Sequence, residues 1–124
     1  MRRFFSVTML WILLLPYAMY MLGAASNHAV LIANHDRFPV LVNDTRLLER
    51  LDSGTLSVEP DGTVMLDSEH CVMTSKTHLN WLADVFDRKT YTESIGDMLL
   101  DFGIWLNSFA PFVWAALVIR KLYA

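Results

Sequence analysis

Residues 92–105 read TESIGDMLLDFGIW, and the position of their two aspartates decides what kind of chain this is. Asp97 and Asp101 stand at the entrance of Phe102–Ile119, a run without a charged residue. A second uncharged run, Phe4–Leu22, lies near the other end. At 1.5 Å per residue, about eighteen helical residues cover roughly 27 Å, close to the ~30 Å hydrocarbon thickness of a bilayer. Each run is long enough to span when a few flanking residues are added. Ser94 precedes Asp97 by three positions, the spacing of a capping box: a serine hydroxyl covers a free amide and the acid at N3 reaches back. Asp97 also sits at the positive end of the helix dipole. The carboxylates are therefore expected to terminate a span, with Asp101 one turn deeper near the headgroups. A proton or cation site at Asp101 is the alternative, because acids inside membranes often serve that role.

Composition agrees. The chain has 124 residues, 54% of them hydrophobic, and a mean hydropathy of +0.34. Arg2 and Arg3 before the first run resemble the n-region of a signal peptide, and LGAAS at 22–26 offers small residues. An apolar stretch of nineteen residues exceeds the 7–15 of a signal h-region, which favours an uncleaved anchor. Arg2 and Arg3 precede the first span and Arg120 and Lys121 close the second. Basic flanks stay cytoplasmic, so both ends are expected inside. Asn27–Asp97 carries six Lys or Arg against twelve Asp or Glu and forms the acidic, exported side. The expected architecture is an α-helical membrane protein: residues 1–25 a first transmembrane helix, 26–93 an exported α+β module, and 94–124 a second transmembrane helix with a basic tail. The expected location is the bacterial inner membrane.

Within the second span Gly103, Asn107 and Ala110 recur at four and three residues, on one helical face. Small and polar residues there permit close helix packing, with Ser6, Thr8 and Gly23 as matching candidates on the first span. The hairpin then packs on itself; alternatively Asn107 builds a homo-oligomer or pore. Trp11, Trp105, Trp114, Tyr17, Tyr20 and Tyr123 are expected as interfacial anchors.

The module reads piece by piece. Ala29–Ala33 and Phe38–Val42 are apolar runs separated by NHDR, either a hairpin or a continuation of the first helix followed by a bend. Pro39 argues against a central strand. DTRLLERLD at 44–52 predicts a short helix with Asp44 as N-cap and Leu47, Leu48 and Leu51 on one face. TLSVEPDGTVML at 55–66 predicts a hairpin turning at Glu59–Gly62. Leu79, Leu82, Val85 and Phe86 predict a further helix, capped by Ser75 or Thr77, with Trp81 close to its apolar face.

Chemistry has few candidates. His28, His35, His70 and His78 share the module with Cys71, but zinc needs three or four convergent ligands. Adjacent His70 and Cys71 point to opposite faces of a strand. No metal, cofactor or catalytic residue is assigned. A lone cysteine here is expected to be buried as a small apolar residue. A module of net charge −6 is no nucleic-acid ligand.

ANHDRFPVLVN at 33–43, THLNWLADVF at 77–86 and SIGDMLLDFG at 94–103 resemble, in order, segments of an uncharacterised family of small bacterial and phage integral membrane proteins. The matching positions are Asn34, Arg37, Pro39, Val40, His78, Leu79, Leu82, Asp84, Ser94, Gly96 and Asp97. The resemblance implies a membrane location and a shared loop-to-span fold, with no known reaction. Asn34, Arg37, His78 and Asp84 are the candidate partner surface. The expected function is a non-enzymatic inner-membrane protein, as a phage-encoded factor would be, whose exported module binds an envelope protein or modulates an envelope process. A holin-like or pore-forming oligomer is one alternative. A tethered metal-binding or enzymatic module around His70, Cys71 and His78 is the other.

Overall fold

The computed structural model describes residues 2–87 and 91–123. Two long apolar helices, α1 (Arg2–Ala33) and α3 (Ile95–Tyr123), flank a small α+β module. Within them Met9–Ala33 and Ile95–Tyr123 are long and apolar enough to cross a membrane. Helix α1 runs unbroken through residue 25, so the first helix continues into the NHDR bend and no hairpin forms there.

The two helices are antiparallel and meet along narrow seams of period seven. Pro16, Gly23 and Val30 are buried on α1, and Gly96, Gly103 and Ala110 on α3. A seven-residue repeat is that of a left-handed coiled seam. Here small residues fill it, and the backbones nearly touch. A Cβ added at Gly23 would lie 2.5 Å from the carbonyl oxygen of Gly96. One added at Gly103 would lie 2.9 Å from both Pro16 O and Tyr20 N. At Gly96 it would overlap the Asn27 carboxamide. Gly103 and Ala110 therefore pack as expected, whereas Asn107 does not join them. It is exposed, one step off a stripe only wide enough for every seventh residue and its near neighbours. The side chains of Ser6 and Thr8 lie outside the described residues. Trp11, Tyr17, Trp105 and Trp114 all point outward, and Trp105 stacks on Phe102 and contacts Phe109 at ring separations of 6.0 and 4.7 Å.

After α1 the chain reverses through His35 and Asp36, both left-handed at φ 56° and 62°. It then enters β1 (Phe38–Val40), followed by α2 (Asp44–Asp52), β2 (Ser57–Val58), β3 (Val64–Met65) and β4 (His70–Val72). The sheet order is β1-β4-β3-β2; β1 runs parallel to β4, and the other pairs are antiparallel. β1 is an edge strand, as Pro39 requires, and Asp84 bridges its outer side: Asp84 N–H donates to Pro39 O at 3.2 Å and Leu41 N–H to Asp84 O at 2.8 Å. The β2–β3 turn forms at the expected residues. Glu59 and Thr63 pair at 2.9 Å, and Gly62 takes φ 84°, a conformation open to glycine without strain. A second hairpin pairs β5 (Phe86–Asp87) with β6 (Thr92–Glu93), which leads straight into α3.

Two local expectations are corrected. Helix α2 forms, but Asn43 is its N-cap: its backbone is extended at ψ 158° and its Oδ1 accepts from Arg46 N–H at 2.9 Å. Asp44 is already helical. Residues 77–83 form bends and turns instead of a helix, Asp84 bridges β1, and Phe86 begins β5. Leu79 sits at φ 54°, and Asn34 captures both backbone groups of His78, accepting from its N–H at 2.7 Å and donating to its C=O at 2.9 Å. Thr77 closes a turn with Thr74 rather than capping a helix. Leu79 and Leu82 still reach the core, packing against Val30, Phe38 and Ala83, while Trp81 is exposed.

Val30 belongs to both the seam and the core, so the hairpin and the module share one packing unit. Gly103→Val pushes a side chain into the α1 backbone at Pro16 and Tyr20, which cannot yield. Overpacking of this kind costs about 1–3 kcal/mol. The melting temperature of the full chain in detergent is expected to fall accordingly, while Ile104→Val on the exposed face of the same turn leaves it nearly unchanged.

Candidate functional site

Three polar assemblies organise the module, and each begins with a residue held at the end of an element. The first joins the helices. Ser94 is fully buried, and its Oγ accepts from Asp97 N–H at 2.9 Å while Ser94 N–H donates to Asp97 Oδ2 at 3.1 Å. This is the reciprocal capping pattern. Asn27 of α1 completes it: its Nδ2 donates to Asp97 Oδ1 at 2.7 Å, and its Oδ1 lies 3.0 Å from Ser94 Oγ. Asp97 is thus held between a helix start and a carboxamide, and Asp101 is exposed one turn on. Sequence reading missed Asn27. Its signal was present, four residues after Gly23 and hence on the same helical face.

The second assembly lies on the Cys71 face of β4. Cys71 is buried, 1% exposed, and burial pushes its thiol up despite the nearby Arg37 guanidinium. A thiol so placed carries little thiolate. Arg37 crosses the mouth of a cleft of about 340 Å³ to Asp61 at 2.6 Å and Thr63 at 3.1 Å. Its hydrogen bond holds the Asp61 carboxyl well below the usual carboxylate range. His78 also borders this cleft.

The third lies on the opposite face, where His70 borders a larger cleft of about 520 Å³ between α2, the β3–β4 turn and the β6 edge. Asp67 shapes the turn by accepting from Glu69 N–H and His70 N–H, each at 2.9 Å. Its two oxygens also lie 2.9 and 3.0 Å from His70 Nδ1. Burial pushes the Asp67 carboxyl up, but these hydrogen bonds outweigh it and hold the group below its ordinary value. Arg50 of α2 is pinned to the wall by its bond to Leu66 O at 3.0 Å.

Asp84 forms the inner wall of this cleft and is 7% exposed. Its Oδ2 accepts from Thr92 Oγ1 at 3.1 Å, and its Oδ1 has no hydrogen-bond partner among the described residues. Burial, with Asp97 and Glu93 nearby, pushes its carboxyl up to about 6. A buried carboxyl near neutrality beside a polar cleft is the one feature here with the character of a functional group.

The four residues expected as a partner surface therefore separate. Asn34 and Asp84 are interior: Asn34 ties α1 to the 77–79 turn, and Asp84 lines a cleft. Arg37 is engaged with Asp61, and His78 alone is exposed. His70 faces one cleft while Cys71 and His78 border the other, so the three do not converge. Among the described residues no group of three His, Cys, Asp or Glu is placed to hold a metal.

The fold thus defines a class: a tight antiparallel pair of apolar helices carrying a small mixed-sheet module between them. The chain belongs to a family of unknown function (DUF5317), whose model matches residues 4–109. No curated protein and no solved structure matches it.

Asp84 also sets a pH dependence. Its folded value lies well above the ordinary carboxylate value, so the fold favours the protonated form. Its contribution is complete below pH ~4 and is lost as pH rises through about 6. Asp84→Asn is expected to flatten this fall, about 1–3 kcal/mol between the two limits, in melting curves taken from pH 4 to 8.

Proposed function

We propose that this chain is a non-enzymatic two-span protein of the bacterial inner membrane, with both ends in the cytoplasm and the module exported, and that the module binds an envelope protein. The spans are supported by the length and apolarity of both helices and the orientation by Arg2, Arg3, Arg120 and Lys121. The observation that carries the binding role is α2. It is capped at both ends and amphipathic, yet Leu48 and Leu51 are 60% and 55% exposed. A leucine edge that the protein does not cover on its own is suited to cover against a partner. A phage-encoded origin would fit such an accessory role.

A second reading, a homo-oligomer or holin-like pore, draws on Asn107. Its carboxamide is exposed within the uncharged run of α3 and makes no hydrogen bond among the described residues. An amide in hydrocarbon gains from a cross-helix partner, by about 1 kcal/mol. A pore would collapse the membrane potential on induction and Asn107→Ala would restore it; a binding module leaves a potential-sensitive dye unchanged.

Alkaline phosphatase fused after Ala124 is expected to be inactive, and fused within the 53–55 loop active; the reverse pattern removes the orientation. A photo-crosslinking amino acid at Leu48 is expected to give one discrete adduct in cells. Leu51→Glu should abolish it without lowering the amount of protein in the membrane, and a smear or no adduct removes the binding role.

A further inference from the structure

The cleft beside Asp84 is not accounted for by an α2 leucine edge, which faces away from its polar walls. Its volume of about 520 Å³ falls within the range of small-molecule sites. Asp84 lines it, and Asp84 Oδ1 is a buried acceptor with no partner among the described residues. Such atoms are rare because each forfeits a hydrogen bond it had in water. Its sister oxygen is fixed by Thr92, so the bare oxygen is held in position.

Both signs of charge line the cleft. Asp84 contributes a carboxyl, and α2 contributes Arg50, which is bonded through one guanidinium nitrogen to Leu66 O and carries further N–H donors beyond that bond. Arg46 lies one turn earlier on the same wall. Of the other acids, Asp67 is occupied by His70, and Glu49 stands on α2. A ligand matching these walls carries N–H donors at one end, for Asp84, and an oxyanion at the other, for arginine.

Placement narrows the source. Thr92, which holds Asp84, is three residues before Ile95, the first residue of α3, so at most about 10 Å of chain separates them. If α3 spans, as the function proposed above requires, the cleft stands at the level of the lipid headgroups. We propose that this cleft binds a small zwitterion in which a primary ammonium, held by Asp84, lies a few bonds from an oxyanion held by Arg50. The phosphoethanolamine headgroup of a lipid and free zwitterions of the same design share this chemistry.

The test uses the full chain in nanodiscs of phosphatidylcholine, titrated calorimetrically with O-phosphoethanolamine at pH 7.5. Saturable one-site binding is expected. Phosphocholine keeps the phosphate but has no N–H donors, and should bind at least tenfold more weakly. Asp84→Asn and, on the exposed α2, Arg50→Gln should each weaken O-phosphoethanolamine at least tenfold while the circular dichroism stays that of the parent and the melting temperature is not lowered. Nanodiscs containing phosphatidylethanolamine separate the sources. Loss of binding to the soluble probe there shows the site filled by headgroups, and undiminished binding shows a free zwitterion as the ligand. No saturable binding in phosphatidylcholine discs, equal affinity for phosphocholine, or indifference to both substitutions overturns the proposal. Failure of the chain to enter discs would instead remove the membrane reading, because the same titration on the soluble chain still reads the Asp84 site.

Discussion

The approach of two helix backbones at Gly23, Gly96 and Gly103 is the constraint from which the rest of the structure follows. At Gly23 and Gly103 a side chain would meet backbone carbonyls and amides that cannot move aside, and at Gly96 it would displace the Asn27 carboxamide. In hydrocarbon, apolar side chains gain nothing by leaving lipid for one another, so dispersion between closely packed helices and hydrogen bonds across them carry the association. A seam this narrow supplies the first. It also brings Asn27 within 2.7 Å of Asp97, which supplies the second. The two contributions depend on each other, because a wider seam would leave the Asn27 carboxamide and the Asp97 carboxylate without each other.

The module is joined to this hairpin by two carboxamides seven residues apart, Asn27 in α1 and Asn34 just past its end. Asn27 closes on the start of α3, and Asn34, seven residues later, closes on the 77–79 turn. Each uses both ends of its amide, and so fixes position and direction together. Val30 lies between them and carries the seam into the hydrophobic core with Phe38 and Ala83. A helix end that would otherwise leave its last carbonyls unpaired is thereby built into the module, with Asn34 Nδ2 returning to Val30 O at 2.9 Å.

How much of this was legible depended on the range of the interactions. The capping relation of Ser94 and Asp97, the turn at Glu59–Gly62 and the α2 helix are set within a few residues, and local spacing revealed them. The apolar pattern at 79–86 was read as a helix, and its helical period misled. Capture of His78 by Asn34, 44 residues away, outweighs a weak local preference for helix. The seam was half visible. Gly103, Ala110 and Gly23 were recognised as small residues at a packing face, but the period of seven that excludes Asn107 appears only when both helices are in register. The fate of Asp84 was not legible at all, because nothing in HLNWLADVF distinguishes a surface aspartate from one enclosed by β1 and β6.

Asp84 is the place where the fold departs from local consistency, and the departure has a structural cause. Its backbone is needed at the edge of β1, where Pro39 leaves a carbonyl to be satisfied and Leu41 an amide; the 84 peptide serves both. Any residue there would supply that peptide. An alanine, valine or asparagine would do so without burying a carboxyl whose second oxygen is left bare. The backbone role therefore accounts for the position but not for the side chain. Thr92 bonds one oxygen and leaves the other unrelieved. A polar group held in a costly state by neighbours that restrict its direction is the arrangement by which proteins pre-organise binding, since the ligand then meets an acceptor already stripped of water and aimed.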